Sequence, residues 1–170
     1  MSGRAPQIVT AELPADLRAL AERLRQAHYP ADRNQVAAHV TLFRAVPPSC
    51  EEELHDALGA AARQHAPIAA HLVGAMSLGT GTALRIDSPA MLALRAELAG
   101  RFHGLLTPQE LSEPRLHVTV QNKMPEKEAK ALQEELARTL EPRDFRFAGL
   151  ALHRYLDGPW ETINRWSFRG

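Results

Sequence analysis

At 170 residues, with 45% hydrophobic and 24% charged side chains, the chain has the composition of a globular protein and the length to bury a proper core. Twenty basic residues balance twenty acidic ones, which excludes a broad electropositive surface for tracking duplex DNA but suits a small substrate or a short nucleic-acid end. The one cysteine, Cys50, excludes an internal disulfide and suits a reducing compartment, and residues 1–6 hold no long apolar run, so the sequence predicts a cytoplasmic protein with neither signal peptide nor membrane span.

Residues 7–12 read as a first strand, closed by Leu13-Pro14. Leu17, Leu20, Ala21 and Leu24 then recur at helical spacing, with Pro14 suited to the first helical position. The helix fades before Pro30, because the residue ahead of a proline is pushed out of the helical region. Asp32-Arg33-Asn34 is a polar loop feeding a strand that holds His39. Ser49 and Glu52 have the spacing of a capping box for a second helix along Leu54, Leu58 and Ala61. Residues 68–78 and 82–87 look like two strands joined through Gly79-Thr80-Gly81. Ser88-Pro89 opens a third helix with Met91, Leu94, Leu98 and Phe102 on one face. A loop over residues 104–114 delivers the strand that holds His117. Pro125 opens a fourth helix striped by Ala129, Leu132, Leu136 and Leu140, and residues 145–155 and 160–168 form a last hairpin over Asp157-Gly158.

One stretch occurs twice in this order. His39-Val40-Thr41-Leu42 returns as His117-Val118-Thr119-Val120, 78 residues later (117 − 39). Pro47 and Pro125 each lie eight residues after their histidine, and each is followed by acidic residues and an amphipathic run. Alternation of His and Thr with aliphatics is the period of a half-buried strand: the aliphatics face a core, and His and Thr share the other face. The chain reads as one bilobal α+β domain over residues 1–170, internally duplicated, with no linker to divide it.

Two such strands meeting at a groove would offer an imidazole and a hydroxyl from each half. In-line displacement at phosphorus needs a base on the incoming oxygen and an acid on the leaving one. Histidine serves either role near neutrality, and a pair in different environments divides the work. The threonine hydroxyls can hydrogen-bond non-bridging phosphate oxygens where charge accumulates. A lone His-aliphatic-Thr-aliphatic strand is more often an ordinary strand with an exposed histidine. Two copies with matched flanks favour catalysis.

The two motifs resemble those of the 2H phosphoesterases, which include the bacterial 2′-5′ RNA ligases and 2′,3′-cyclic phosphodiesterases, over nearly the whole chain. The resemblance implies two antiparallel sheets flanking a central cleft with helices outside, and metal-independent chemistry, with no cofactor, on 2′,3′-cyclic or 2′-5′ phosphodiesters. It implies His39 as general acid, His117 as general base, and Thr41 and Thr119 as phosphate ligands. Some members carry an arginine soon after the second motif; this chain has Gln121-Asn122-Lys123 there, so contacts to the rest of a nucleotide do not carry over.

Strand parity extends the cleft face to Phe43 on one side and to Gln121 and Lys123 on the other. Phe43 could stack on a base and Lys123 could neutralise phosphate. On neighbouring strands parity adds Arg85, His71, His153 and Tyr155, while Trp160 and Trp166 read as packing residues. No His-Glu-x-x-His or Cys-x-x-Cys pattern supports a metal site. The sequence thus predicts a monomer acting on a small nucleotide or RNA end, by hydrolysis or by RNA joining. A non-catalytic nucleotide- or RNA-end-binding module on the same fold is the rival, though binding alone does not need a matched acid and base.

Overall fold

A computed structural model describes residues 5–170; the sequence reading of residues 1–4 lies outside it. Eight strands form two four-stranded antiparallel sheets. The first sheet has the order β2-β1-β7-β8, from β1 (Gln7–Glu12), β2 (Val40–Val46), β7 (Gly149–Tyr155) and β8 (Trp160–Ser167). The second has the order β5-β4-β3-β6, from β3 (Ile68–Ser77), β4 (Thr82–Asp87), β5 (His117–Gln121) and β6 (Arg143–Phe147). Each repeated motif therefore lies on the outer strand of its own sheet, and β2 and β5 approach each other.

Helix α2 (Glu51–Gln64) packs on β7 and β8, and α5 (Glu126–Thr139) packs on β3 and β4. Helix α1 (Ala15–His28) follows β1 of the first sheet but packs against β5 of the second. Helix α3 (Pro89–Arg101) starts at Ser88, whose side chain accepts the Met91 amide, a cap for one of the orphan donors of a helix start. One contiguous hydrophobic cluster runs through both halves, from Val9, Val40 and Leu152 to Leu84, Val118 and Leu132.

Three local expectations are corrected. The strand expected over residues 145–155 is two strands in different sheets: β6 pairs with β3, the chain crosses at Ala148, and β7 pairs with β1 and β8. The crossing needs a glycine, since a Cβ on Gly149 would lie 2.1 Å from the Trp166 carbonyl oxygen. The Ser49–Glu52 capping box does not form; residues Pro48–Cys50 make a short 3-10 turn, and α2 begins without a side-chain cap. The loop expected over residues 104–114 contains a one-turn helix, α4 (Pro108–Leu111), capped by the Thr107 hydroxyl. The hairpin over Asp157-Gly158 does form, with both residues at positive φ and the Leu156 amide bonded to the Pro159 carbonyl.

Candidate functional site

In both motifs the alternation places aliphatics inward. Val40, Leu42, Val118 and Val120 are buried, while His39, Thr41, His117 and Thr119 are half-buried and line one cleft of about 810 Å³ between the sheets. Each histidine is held in the same way. His39 Nδ1 lies 2.8 Å from the carbonyl oxygen of Ala37, and His117 Nδ1 lies 2.7 Å from that of Arg115. A carbonyl can only accept, so Nδ1 carries the proton in each ring and Nε2 is left for the cleft.

The two rings differ in their surroundings. Trp160 packs against His39 with ring centroids 4.5 Å apart, and against His153 at 5.3 Å. Although His39 keeps some surface open to the cleft, the protein mass around it pushes its pKa down to about 4 by loss of hydration. The Arg25 guanidinium and the His117 ring add to that effect, while the bond to Ala37 and the Glu22 carboxylate oppose it. His39 is therefore neutral near pH 7, with Nε2 unprotonated.

Strand parity fails past each motif, and the cause is the same on both sides. Between the Val9–Phe43 and Thr10–Thr41 pairs, β2 takes two steps for one on β1; between Thr82–Gln121 and Ala83–Thr119, β5 takes two for one on β4. A bulge of this kind turns the following side chain to the other face. Phe43 is consequently buried in the core beneath the Arg95 guanidinium, 4.4 Å from its ring centroid, and is in no position to stack on a base. Arg44 lines the cleft in its place. Gln121 is likewise buried, accepting the Thr82 hydroxyl at 2.9 Å, and faces a separate groove of about 290 Å³ beside α5. Lys123 is exposed at positive φ in the loop after β5 and does not line the cleft.

Tyr155 lines the cleft. Arg85 stands opposite His117 in register but is solvent-exposed at the flank, outside the lining. His71 is elsewhere, exposed and paired with Asp144 at 2.8 Å. His153 is buried behind His39, its Nε2 3.0 Å from the Thr10 hydroxyl and its Nδ1 2.9 Å from that of Thr162. Burial lowers its pKa to about 4 as well. Trp160, expected to be a packing residue, is a cleft wall. The hairpin contained the signal: Trp160 pairs with Tyr155 in register, so the two share a face. Arg95 and Arg115 complete the basic lining, opposed by Glu110 and Glu113. Among the described residues no three or more His, Cys, Asp or Glu side chains gather as metal ligands would, and no helix is long and apolar enough to cross a membrane.

The sequence profile of the 2′-5′ RNA ligase superfamily matches residues 13–159, which contain both motifs and most of the cleft lining. The chain belongs to that superfamily. Membership supports phosphoesterase- or ligase-type activity. Among solved structures it is similar to TT0787 of Thermus thermophilus, with 20% identity, a TM-score of 0.67, and 97% of this chain and 98% of that one covered. E. coli LigT in complex with NADP+ gives 18% identity and a TM-score of 0.64, covering 98% and 99%. A crystallised phosphoesterase gives 18% identity and 0.61 over the same shares. At these identities the likeness shows the shared fold. No curated protein matches the chain by sequence.

The buried histidine generates a pH prediction. An unfolded histidine titrates near 6.5 and His153 near 4, so the unfolded chain binds the extra proton between these values, and stability falls as pH drops from 6.5 toward 4. Each tenfold change in proton affinity is worth about 1.4 kcal/mol, so the ring accounts for at most ~3 kcal/mol. Denaturant unfolding at pH 7 and pH 4.5 should show His153→Gln losing less stability on acidification than the wild type. An equal loss in both would mean the ring is not held neutral between the two threonines.

Proposed function

We propose that the protein is a metal-independent phosphodiesterase that opens 2′,3′-cyclic phosphates on nucleotides or RNA ends, with His39 and His117 as its acid–base pair. One observation carries this reading. Two imidazoles on opposite walls of one cleft each have Nδ1 tied to the carbonyl two residues back, and each has a threonine hydroxyl two residues ahead.

In the step so assigned, one ring takes a proton from water as the water oxygen attacks phosphorus. The bond from phosphorus to the 3′ oxygen breaks, and the other ring gives that oxygen its proton. The product is a 2′-phosphate, and the rings recover their protonation through solvent. Thr41 and Thr119 donate to the non-bridging oxygens, whose charge grows in the transition state. Arg44 and Arg115 supply positive charge at the cleft wall, and Tyr155 and Trp160 offer aromatic surface to a base. A nucleotide as ligand agrees with the binding of NADP+ by E. coli LigT. RNA joining is the same displacement with a 5′-hydroxyl in place of water: that oxygen attacks phosphorus, the 3′ oxygen leaves with a proton, and the same groups serve.

The family resemblance assigns the acid's part to His39 and the base's to His117. With a pKa of about 4 in the empty cleft, His39 takes up its proton together with the substrate, whose phosphate anion offsets the lost hydration. A substrate whose leaving oxygen departs without protonation tests this division, because only the variant lacking the acid recovers activity on it.

Incubation with 2′,3′-cyclic mononucleotides and oligonucleotides ending in the cyclic phosphate should give the 2′-phosphate. His39→Ala and His117→Ala should each lower turnover by at least ~10²-fold while leaving the fold intact. Near-wild-type turnover in either variant would sink the mechanism, and retention of ligand without conversion would leave a binding module. A 3′-phosphate product would reverse the substrate's orientation.

The four side chains supply proton transfer and anion contacts by themselves, so activity should persist after exhaustive chelation. Loss on chelation with recovery on adding zinc would transfer the chemistry to a bound metal.

A further inference from the structure

The outer strand of a sheet leaves amides and carbonyls without ladder partners, and both motifs sit on such strands. Two buried arginines occupy carbonyls there, each arriving from the opposite repeat. Arg25 lies on α1, between the two first-sheet strands β1 and β2 in the chain. Its Nη1 donates to the carbonyl of Thr119 on β5 of the second sheet, at 2.7 Å. Its Nη2 donates at 2.9 Å to the carbonyl of Val36, three residues before His39, and Nε and Nη2 both reach Asn34 Oδ1. Arg95 lies on α3, between β4 and β5 of the second sheet, and its Nε donates at 3.0 Å to the carbonyl of Leu42 on β2 of the first. Its Nη2 also donates to the Glu110 carbonyl, and the Glu110 carboxylate accepts the Arg44 amide on β2 at 3.1 Å from each oxygen.

Burying a guanidinium is costly, and packing alone would be served better by an apolar side chain. Arg25 and Arg95 are 3% and 4% exposed, so the hydration of both is largely lost. What the charge and the fork of donors supply is a fixed geometry between backbones of different sheets. Arg25 alone bonds the segment entering the first motif and the strand of the second.

We propose that Arg25 and Arg95 are reciprocal positioning residues, each helix of one repeat holding the motif strand of the other, and that together they set the separation and aim of His39 and His117. Neither need touch substrate for this role. The activity arm of the test rests on the two-histidine reading above; the geometric arm does not.

The test compares Arg25→Gln, Arg25→Lys and Arg95→Gln with the wild type as full chains, with Asn34→Ala as a milder variant that removes the acceptor for two of Arg25's N–H groups. Residual dipolar couplings report the relative orientation of the two sheets, and steady-state kinetics on a 2′,3′-cyclic nucleotide report kcat and KM. In folded Arg25→Gln and Arg95→Gln the sheets should reorient, and kcat should fall by about 10- to 100-fold with KM within threefold, as misplacement of reacting groups does. Arg25→Lys, which keeps one donor and the charge, should recover part of kcat. Should Arg25→Gln fail to fold, Asn34→Ala should show the same split at smaller size. Unchanged sheet orientation in the folded variants overturns the proposal, and so does an unchanged kcat. A wild type without activity would sink the phosphodiesterase reading, while the couplings would still decide the positioning claim.

Discussion

The approach of two outer strands, β2 and β5, is the constraint on which the rest depends. Each sheet ends in a strand that holds a histidine and a threonine on one face, and the cleft exists because these two strands face each other rather than solvent. Edge strands with free amides and carbonyls invite pairing with another chain. Here side chains take some of these groups: Arg25 and Arg95 bond carbonyls of β5 and β2, Glu110 accepts the Arg44 amide of β2, and Glu22 accepts the Ala38 amide just before β2. The two strands are thereby close without forming a ladder, and the gap between them remains open to a ligand.

Duplication gives the site its pairing, and departures from duplication give it polarity. Both rings have the same tautomer for the same local reason, a carbonyl two residues back. Only His39 stands against a tryptophan, and behind that tryptophan lies the neutral His153 between two threonine hydroxyls. Loss of hydration lowers both of these pKa values. Two histidines in unlike surroundings are what an acid–base pair needs, since identical rings would titrate together and serve the same role.

The two-residue period in His39-Val40-Thr41-Leu42 and in its repeat was enough to place the four polar side chains on one cleft, because regular β-structure enforces alternation. The same rule misplaced Phe43 and Gln121, since a bulge adds one residue and inverts every assignment beyond it, and bulges leave no clear trace in a single sequence. The split at Ala148 was hidden because β6 and β7 follow one another with a single residue between them, and only the sheet partners tell them apart. Trp160 was read as a packing residue, although its hairpin register with Tyr155, which follows from the Asp157-Gly158 turn, places it on the cleft face. Arg25 and Arg95 were not legible. Each lies on a helix, far in sequence from the carbonyl it serves, and no periodicity marks a buried arginine whose partner is another strand's backbone.

The tautomers of His39 and His117, and the aim of both Nε2 atoms at one phosphate, are open to direct measurement. Long-range ¹H–¹⁵N correlation of the histidine side chains, above the titration range and with and without a 2′-nucleotide, tests both most directly. The Nδ1–H tautomer is expected in His39 and His117, with perturbation of both Nε2 signals when the nucleotide is added. An Nε2–H tautomer in either ring, or a nucleotide that perturbs only one of them, would contradict this arrangement.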